Sequence, residues 1–365
     1  MILNDEQRML RDTIADFLSR EAPVDALRAL RDADADLAWQ PALWSGLCEL
    51  GAPAAAHAED DGGLGFGWLG MGALMQETGR TLCASPLLSS AIHAQAVIRY
   101  CGSPEQIEQR MPALMSGECV ATVAMQEENH FHTLPRQTRR DGNTISGDKT
   151  LVMDAGAADY LIVSAVDEAD QLCLALVPKD TDGVTLNPKK LMDGRQYASL
   201  TLRGVEAEEW LTGETLSSGF TRACDEATIM LSCEMLGGSR ELLERTVAYL
   251  QEREQFDVKI GTFQALQHRL AAAYCELELA AASAFHALLV MDSGEPVLSE
   301  QASKAKTLVG DIFQHLSNEA VQMHGGMGVT DEMDIGLFLK RSRVCNQLYG
   351  NSAFHRDRFA TLRGY

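Results

Sequence analysis

Glu118-Cys119-Val120-Ala121-Thr122-Val123-Ala124-Met125 is the stretch on which the reading of this chain turns. It replaces a helical period with a run of β-branched and small apolar residues. From here to about residue 215, runs such as Thr150–Val152, Tyr160–Ala165 and Cys173–Val177 alternate with turn signals at Asp141-Gly142, Ser146-Gly147-Asp148, Asp182-Gly183 and Asp193-Gly194. Short β-rich runs separated by Gly/Asp turns predict an antiparallel sheet or small barrel. Upstream the period is helical. Asn4 followed by Gln7 has the form of a reciprocal cap, with Leu10, Ile14, Phe17 and Leu18 falling on one face behind it. Further helices are expected around Ala42–Leu50, Leu69–Gly79, Ser90–Cys101 and Pro104–Met115. Downstream, Met230–Gln251, Thr262–Ser293 and Leu298–His324 are long, rich in Ala and Leu, and largely free of Pro, the pattern of an antiparallel bundle. The fold class is α+β, mostly α: a helical domain at 1–118, a β domain at 119–216 and a helical bundle at 217–365.

Composition limits what such a chain does. Its 365 residues allow two or three domains. Lys plus Arg number 31 against 52 Asp plus Glu, a net charge of -21, which argues against a nucleic-acid surface. The 9 Cys form no CxxC pair and lie among apolar neighbours, so reduced, buried thiols are expected rather than disulfides or zinc. The start, MILNDEQRMLRD, places charges where a signal peptide is apolar, and no apolar run approaches spanning length. A cytoplasmic protein without membrane or metal partners is expected.

Two segments carry candidate chemistry. Gln322-Met323-His324-Gly325-Gly326-Met327-Gly328 ends a helix in glycines whose bare backbone can approach a ligand; a simple C-cap and turn explains them equally well. Arg253-Glu254-Gln255-Phe256 precedes Lys259-Ile260-Gly261 and Phe263-Gln264. An Arg there can clamp a diphosphate and Gln264 can bond a nucleotide edge, though a surface Arg in a helix link has the same signature. His324 beside the glycines, and His130 with His132, are capping or solvated histidines at least as readily as ligands. GxSxG, P-loop and strand–GxGxxG–helix motifs are all missing.

In order along the chain, these segments resemble the flavin-dependent acyl-CoA dehydrogenases. Asp5-Glu6-Gln7 is similar to that family's start, and Glu59-Asp60-Asp61-Gly62-Gly63-Leu64-Gly65 to its E-x-x-G-G-x-G loop. Met111-Pro112 to Gly117-Glu118 resembles the L-P…G-E entry to its β domain, and Ile145-Ser146-Gly147-Asp148-Lys149 with Ala158-Asp159 its I-x-G-x-K…A-D. The Arg253–Phe256 segment resembles R-x-x-F-G and the Gln322–Gly328 segment Q-x-x-G-G-x-G. The resemblance implies a C-terminal four-helix bundle, FAD as cofactor, an acyl-CoA substrate and an electron-transfer flavoprotein as acceptor. It also implies FAD contacts from Arg253, Phe256, Gln264, Gln322, Gly325 and Gly326. In the family a glutamate removes the α-proton of the thioester, and FAD takes the β-hydrogen as hydride.

The departures from the pattern are equally informative. Where the family's loop reads Y-E-G-T, this chain has Tyr349-Gly350-Asn351-Ser352, so Gly350 stands at the position of the base. Other members carry the base early in the bundle's first helix. That position falls on Ala227, with Glu226 one residue and roughly 100° of helix away. Glu226 is thus the remaining candidate base, against the plainer reading of a solvated carboxylate near a helix start. The T-E-P-G-x-G-S-D loop is replaced by Gln126-Glu127-Glu128-Asn129-His130-Phe131-His132-Thr133, the W-I-T-N strand by Leu151-Val152-Met153-Asp154, and Asp257 follows Phe256 in place of glycine. Three readings stay open. The chain is a subunit of a two-component mixed tetramer completing a homologous partner's flavin site, a self-sufficient homotetramer using Glu226, or a non-catalytic acyl-CoA binder.

Overall fold

A computed structural model describes residues 3–33, 39–128 and 131–365. The N-terminal third is helical: α1 (Asp5–Glu21), α2 (Val24–Asp32), α3 (Pro41–Glu49), α4 (Gly67–Arg80), a π-helical stretch Leu87–Ala94 running into α5 (Gln95–Cys101), and α6 (Pro104–Ser116). The cap expected at the start is formed: the Gln7 amide donates to Asn4 Oδ1 (2.7 Å) and the Asn4 amide to Gln7 Oε1 (3.1 Å). Leu10, Ile14 and Leu18 of α1 are buried on one face. A second capping box, Ser103 with Gln106, opens α6.

Eight strands follow in one sheet. They are β1 (Ala121–Ala124), β2 (Arg139–Asp141), β3 (Thr144–Met153), β4 (Tyr160–Val166), β5 (Leu172–Pro178), β6 (Val184–Lys190), β7 (Gln196–Glu206) and β8 (Glu209–Trp210), in the order β6-β7-β3-β2-β4-β5-β8 with β1 also on β4. The pairings are antiparallel except that β1 and β2 both run parallel to β4. The sheet is therefore mixed rather than wholly antiparallel. Parallel neighbours need long crossovers, which the intervening chain supplies. β4 and β5 are buried almost throughout, as their continuous Leu/Ile/Val runs require. Ile145, Leu161, Val163, Val177, Leu200, Leu202 and Val205 form the centre of the sheet's core.

The C-terminal helices are α7 (Leu216–Glu252), α8 (Gln264–Ser293), α9 (Leu298–His324), α10 (Ile335–Gln347) and α11 (Ser352–Leu362), with a small hairpin of β9 (Glu254–Gln255) and β10 (Val258–Lys259) after α7. α8, α10 and α11 all pack on α9. By length and composition α8 is apolar enough to cross a bilayer, which corrects the expectation that no run approaches that length. Its Ala273, Leu277, Ala280, Ala284 and Leu288 are buried within the bundle.

The chain divides into two compact units. One holds the N-terminal segment through Leu27, Trp68–Cys83 and Ile229–Tyr365; the other holds Arg28–Gly67 and Ala84–Thr228. Helix α7 belongs to the sheet-bearing unit up to Thr228 and to the bundle unit beyond it.

Candidate active site

The turn between α10 and α11 carries Gly350, and its backbone is built for glycine. Gly350 has φ 98°, a conformation L side chains rarely adopt, and a Cβ there would stand 2.5 Å from Phe354 Cδ1. Tyr349 beside it is also left-handed, at φ 56°. A carboxylate at position 350 would require the turn and Phe354 to move.

Glu226 is placed otherwise than a solvated helix-start carboxylate: it has no accessible surface. The cause is the close crossing of α7 and α5. At Gly219 a Cβ would lie 2.4 Å from the Tyr100 carbonyl, so only glycine lets the helices meet there. In the gap Tyr100 Oη donates to Glu226 Oε1 at 2.6 Å and Arg222 Nε donates to the same oxygen at 3.3 Å. Arg222 also lies over the Tyr100 ring, 4.7 Å from its centroid. Glu226 Oε2 is buried without a hydrogen-bond partner. Burial pushes the carboxyl above its ordinary range, against the opposing pull of Tyr100, Arg99 and Arg222. A raised carboxyl with one uncommitted oxygen has the chemistry of a base. However, its buried carboxylate adjoins no space in which a thioester could lie. Ala227, at the family's alternative base position, is equally buried and cannot take a proton.

Sequence reading missed Tyr100 and Arg222, because α5 and α7 meet only in three dimensions. It also missed a cleft of about 470 Å³ in the same unit, lined by His57, Asp60, Asp61, Arg99 and Met111 among others. His57 Nε2 lies 2.5 Å from Gln95 Oε1 there, and Arg99 reaches the His57 ring.

The β-domain segments that depart from the family pattern are packed shut. Lys149 Nζ, fully buried, donates to Glu127 Oε1 at 2.9 Å and to Ser164 Oγ at 3.2 Å. The other Glu127 oxygen accepts the amides of Arg136 and Gln137 at 2.7 and 2.8 Å, while Oε1 also takes the Thr138 amide at 2.9 Å. Burial opposes the Glu127 charge, but Lys149 and these amides outweigh it and hold the carboxyl down to about 2. Asn129 and His130 lie outside the described residues. In β3 the register shifts between Lys149 and Val152, with Leu151 left-handed at φ 51°. Asp154, also left-handed, accepts Ser89 Oγ at 2.5 Å.

The C-terminal segments present the opposite picture. Arg253, Phe256, Gln264, Gln322, Gly325 and Gly326 are all exposed on the bundle unit. Phe256 is 86% exposed at the tip of the β9–β10 hairpin, whose two central residues, Phe256 and Asp257, have φ 56° and 62°. These are the angles of a type I′ turn, and Asp tolerates them where the family has glycine. Phe256 meets Phe263 edge to face at 6.3 Å. Among the described residues no hydrogen bond or ion pair occupies the side chains of Arg253, Gln264 or Gln322. His324 is buried: its Nδ1 donates to the Ala320 carbonyl at 2.8 Å and its ring stacks on Tyr249 at 4.1 Å. It anchors the segment instead of polarising a ligand.

These features fit an adenine dinucleotide. A Cβ on Gly325 or Gly326 would meet nothing within 4 Å, and Gly326 has no left-handed backbone to account for its glycine. Bare backbone facing outward, beside an uncommitted guanidinium and two uncommitted amides, suits close approach by a diphosphate and its adenosine. When bound, FAD supplies hydride acceptance, while these residues would hold its diphosphate and adenosine.

A helical–sheet–helical chain with this exposed constellation is of the flavin-dependent dehydrogenase class. Its residues 4–118 match the model of the acyl-CoA dehydrogenase N-terminal domain, and residues 220–361 that of the acyl-CoA dehydrogenase C-terminal domain. The chain belongs to the acyl-CoA dehydrogenase family. It is similar to the acyl-CoA dehydrogenase IpdE2 of Mycolicibacterium smegmatis, 29% identical over 351 residues that cover 95% of this chain and 96% of that one. A solved variant of the Tcur3481–Tcur3483 steroid ACAD superposes with a TM-score of 0.88 at 27% identity, covering 98% of both chains. The ChsE4–ChsE5 complex from Mycobacterium tuberculosis shares the fold, with a TM-score of 0.89 at 23% identity over 100% and 99% of the two chains.

Proposed function

We propose that this chain is one subunit of a mixed acyl-CoA dehydrogenase tetramer, in which its bundle segments complete the flavin site of a homologous, base-bearing partner. The carrying observation is the contrast between its two sets of family segments. Arg253, Gln264, Gln322 and the bare Gly325-Gly326 stand exposed and uncommitted, whereas position 350 excludes a side chain and the ring-facing β-domain segments are packed against themselves. In this reading 1–118, 119–216 and 217–365 act as helical, β and helical domains. The substrate is a bulky acyl-CoA of steroid type, the class named for the related Tcur3481–Tcur3483 enzyme. The acceptor is an electron-transfer flavoprotein.

Co-expression with a homologous chain carrying an intact base tests this. The expected product is a mixed tetramer holding one FAD per two chains that oxidises acyl-CoA. Purification of this chain alone with one FAD per chain and full acyl-CoA oxidation overturns it. A second reading has its own support: the raised Glu226 carboxyl with its uncommitted oxygen favours a self-sufficient enzyme using Glu226 as base.

A further inference from the structure

Lys306, on α9, is fully buried, yet the groups around its ammonium are main-chain carbonyls. Its Nζ donates to the carbonyls of Cys345 (2.9 Å), Asn346 (3.3 Å) and Gly350 (2.9 Å). Three N–H donors meet three acceptors. Two of those carbonyls belong to the last turn of α10, where carbonyls lack helical partners. The third lies across the turn, at the family's base position. One helical turn before Lys306, Ser303 faces His355 Nδ1 of α11 at 3.3 Å, and His355 Nε2 donates to the Tyr349 carbonyl at 3.0 Å. Asn351 caps α11 by accepting the Phe354 amide at 2.9 Å. The turn is thus held from α9, from α11 and by its own cap.

We propose that Lys306 is a positioning residue which locks this turn closed: by gathering the three carbonyls it curls residues 349 and 350 into left-handed conformations and sets position 350 against Phe354. The lock rests on the reading that Gly350 stands at the family's base position, and it deepens that reading. Absence of a base here is then a property of the folded turn, and a single Gly350→Glu change does not restore one. A chain that spends a buried cation on holding a glycine turn assigns proton abstraction elsewhere, to the partner chain.

A double-mutant cycle in the co-expressed complex tests the lock. Gly350→Ala, Lys306→Met and the pair are compared by urea unfolding, with the FAD count taken on the same samples. Gly350→Ala lowers the midpoint sharply in the wild-type background and several-fold less in Lys306→Met, because the released turn can relax away from Phe354. Equal shifts in both backgrounds overturn the proposal. Amide hydrogen exchange gives an independent reading if Lys306→Met fails to accumulate. In Lys306→Arg, whose planar fork does not fit three converging carbonyls, exchange at residues 348–352 rises by about ten-fold or more while the cores of α9 and α10 hold. Unchanged exchange at the turn overturns the lock. Coupling with a wrong flavin count removes only the mixed-tetramer reading, and the correct count without coupling removes only the lock.

Discussion

Glu226 shows how one residue's meaning depends on its surroundings. Its carboxyl titrates above the ordinary range because burial disfavours the charge. The folded state therefore binds the proton more tightly than the unfolded chain. The stability this contributes is complete below the unfolded value, about 4.3, and is lost as pH rises through the higher folded value. Glu226→Gln removes that loss, so the melting temperature of the variant relative to wild type should climb between pH 5 and pH 8, read by calorimetry. A difference that is flat with pH would show that the carboxyl is not buried as described. The same variant separates the two functional readings: as a base, its loss costs acyl-CoA oxidation on the order of a thousand-fold with FAD retained, whereas in the mixed-tetramer reading turnover holds. The identity of Glu226 and its offset from Ala227 were legible in the sequence. Its closure by Tyr100 was not, since Tyr100 lies 126 positions away in the chain.

Among the elements, the long helices were the most legible. α9 begins and ends where the Leu298–His324 period places it. β4 and β5 likewise follow their apolar runs. Local pattern is sufficient there because each element buries residues at its own period. The π-helical form of Leu87–Ala94 escaped that reading, as did the parallel placing of β1 and β2 on β4. Neither changes which residues are apolar; both are set by what the segments pack against. The loop after β1 is similar. Glu127 reads as a surface acid within a charged run, yet it pairs with the fully buried Lys149 and gathers three amides. Lys149→Met leaves that carboxylate partly buried without its cation, and a loss of about 3–5 kcal/mol is expected, measured by urea unfolding. A loss below about 1 kcal/mol would mean that the amides alone hold the loop.

At the scale of the whole molecule, the charge of -21 leaves few cations with which to hold a polyanionic nucleotide. Arg253 is one of them: exposed, and not engaged by any described side chain of its own subunit. Arg253→Ala is therefore expected to leave this chain's melting point unchanged, since it breaks nothing within the fold. In the co-expressed complex it should lower FAD occupancy, read from flavin absorbance per chain after gel filtration. Unchanged occupancy would remove Arg253 from the flavin site. The order of helical, sheet and helical parts, the family and the exposed FAD-directed segments all follow from the sequence by itself, because periodicity and short motifs are local and survive without a partner in space. Whether position 350 can hold a base, where Glu226 points and which β-domain segments are shut were decided only by the tertiary structure. Each depends on side chains far apart in the chain, such as Lys306 with Gly350 and Tyr100 with Glu226, converging at distances that no local pattern encodes.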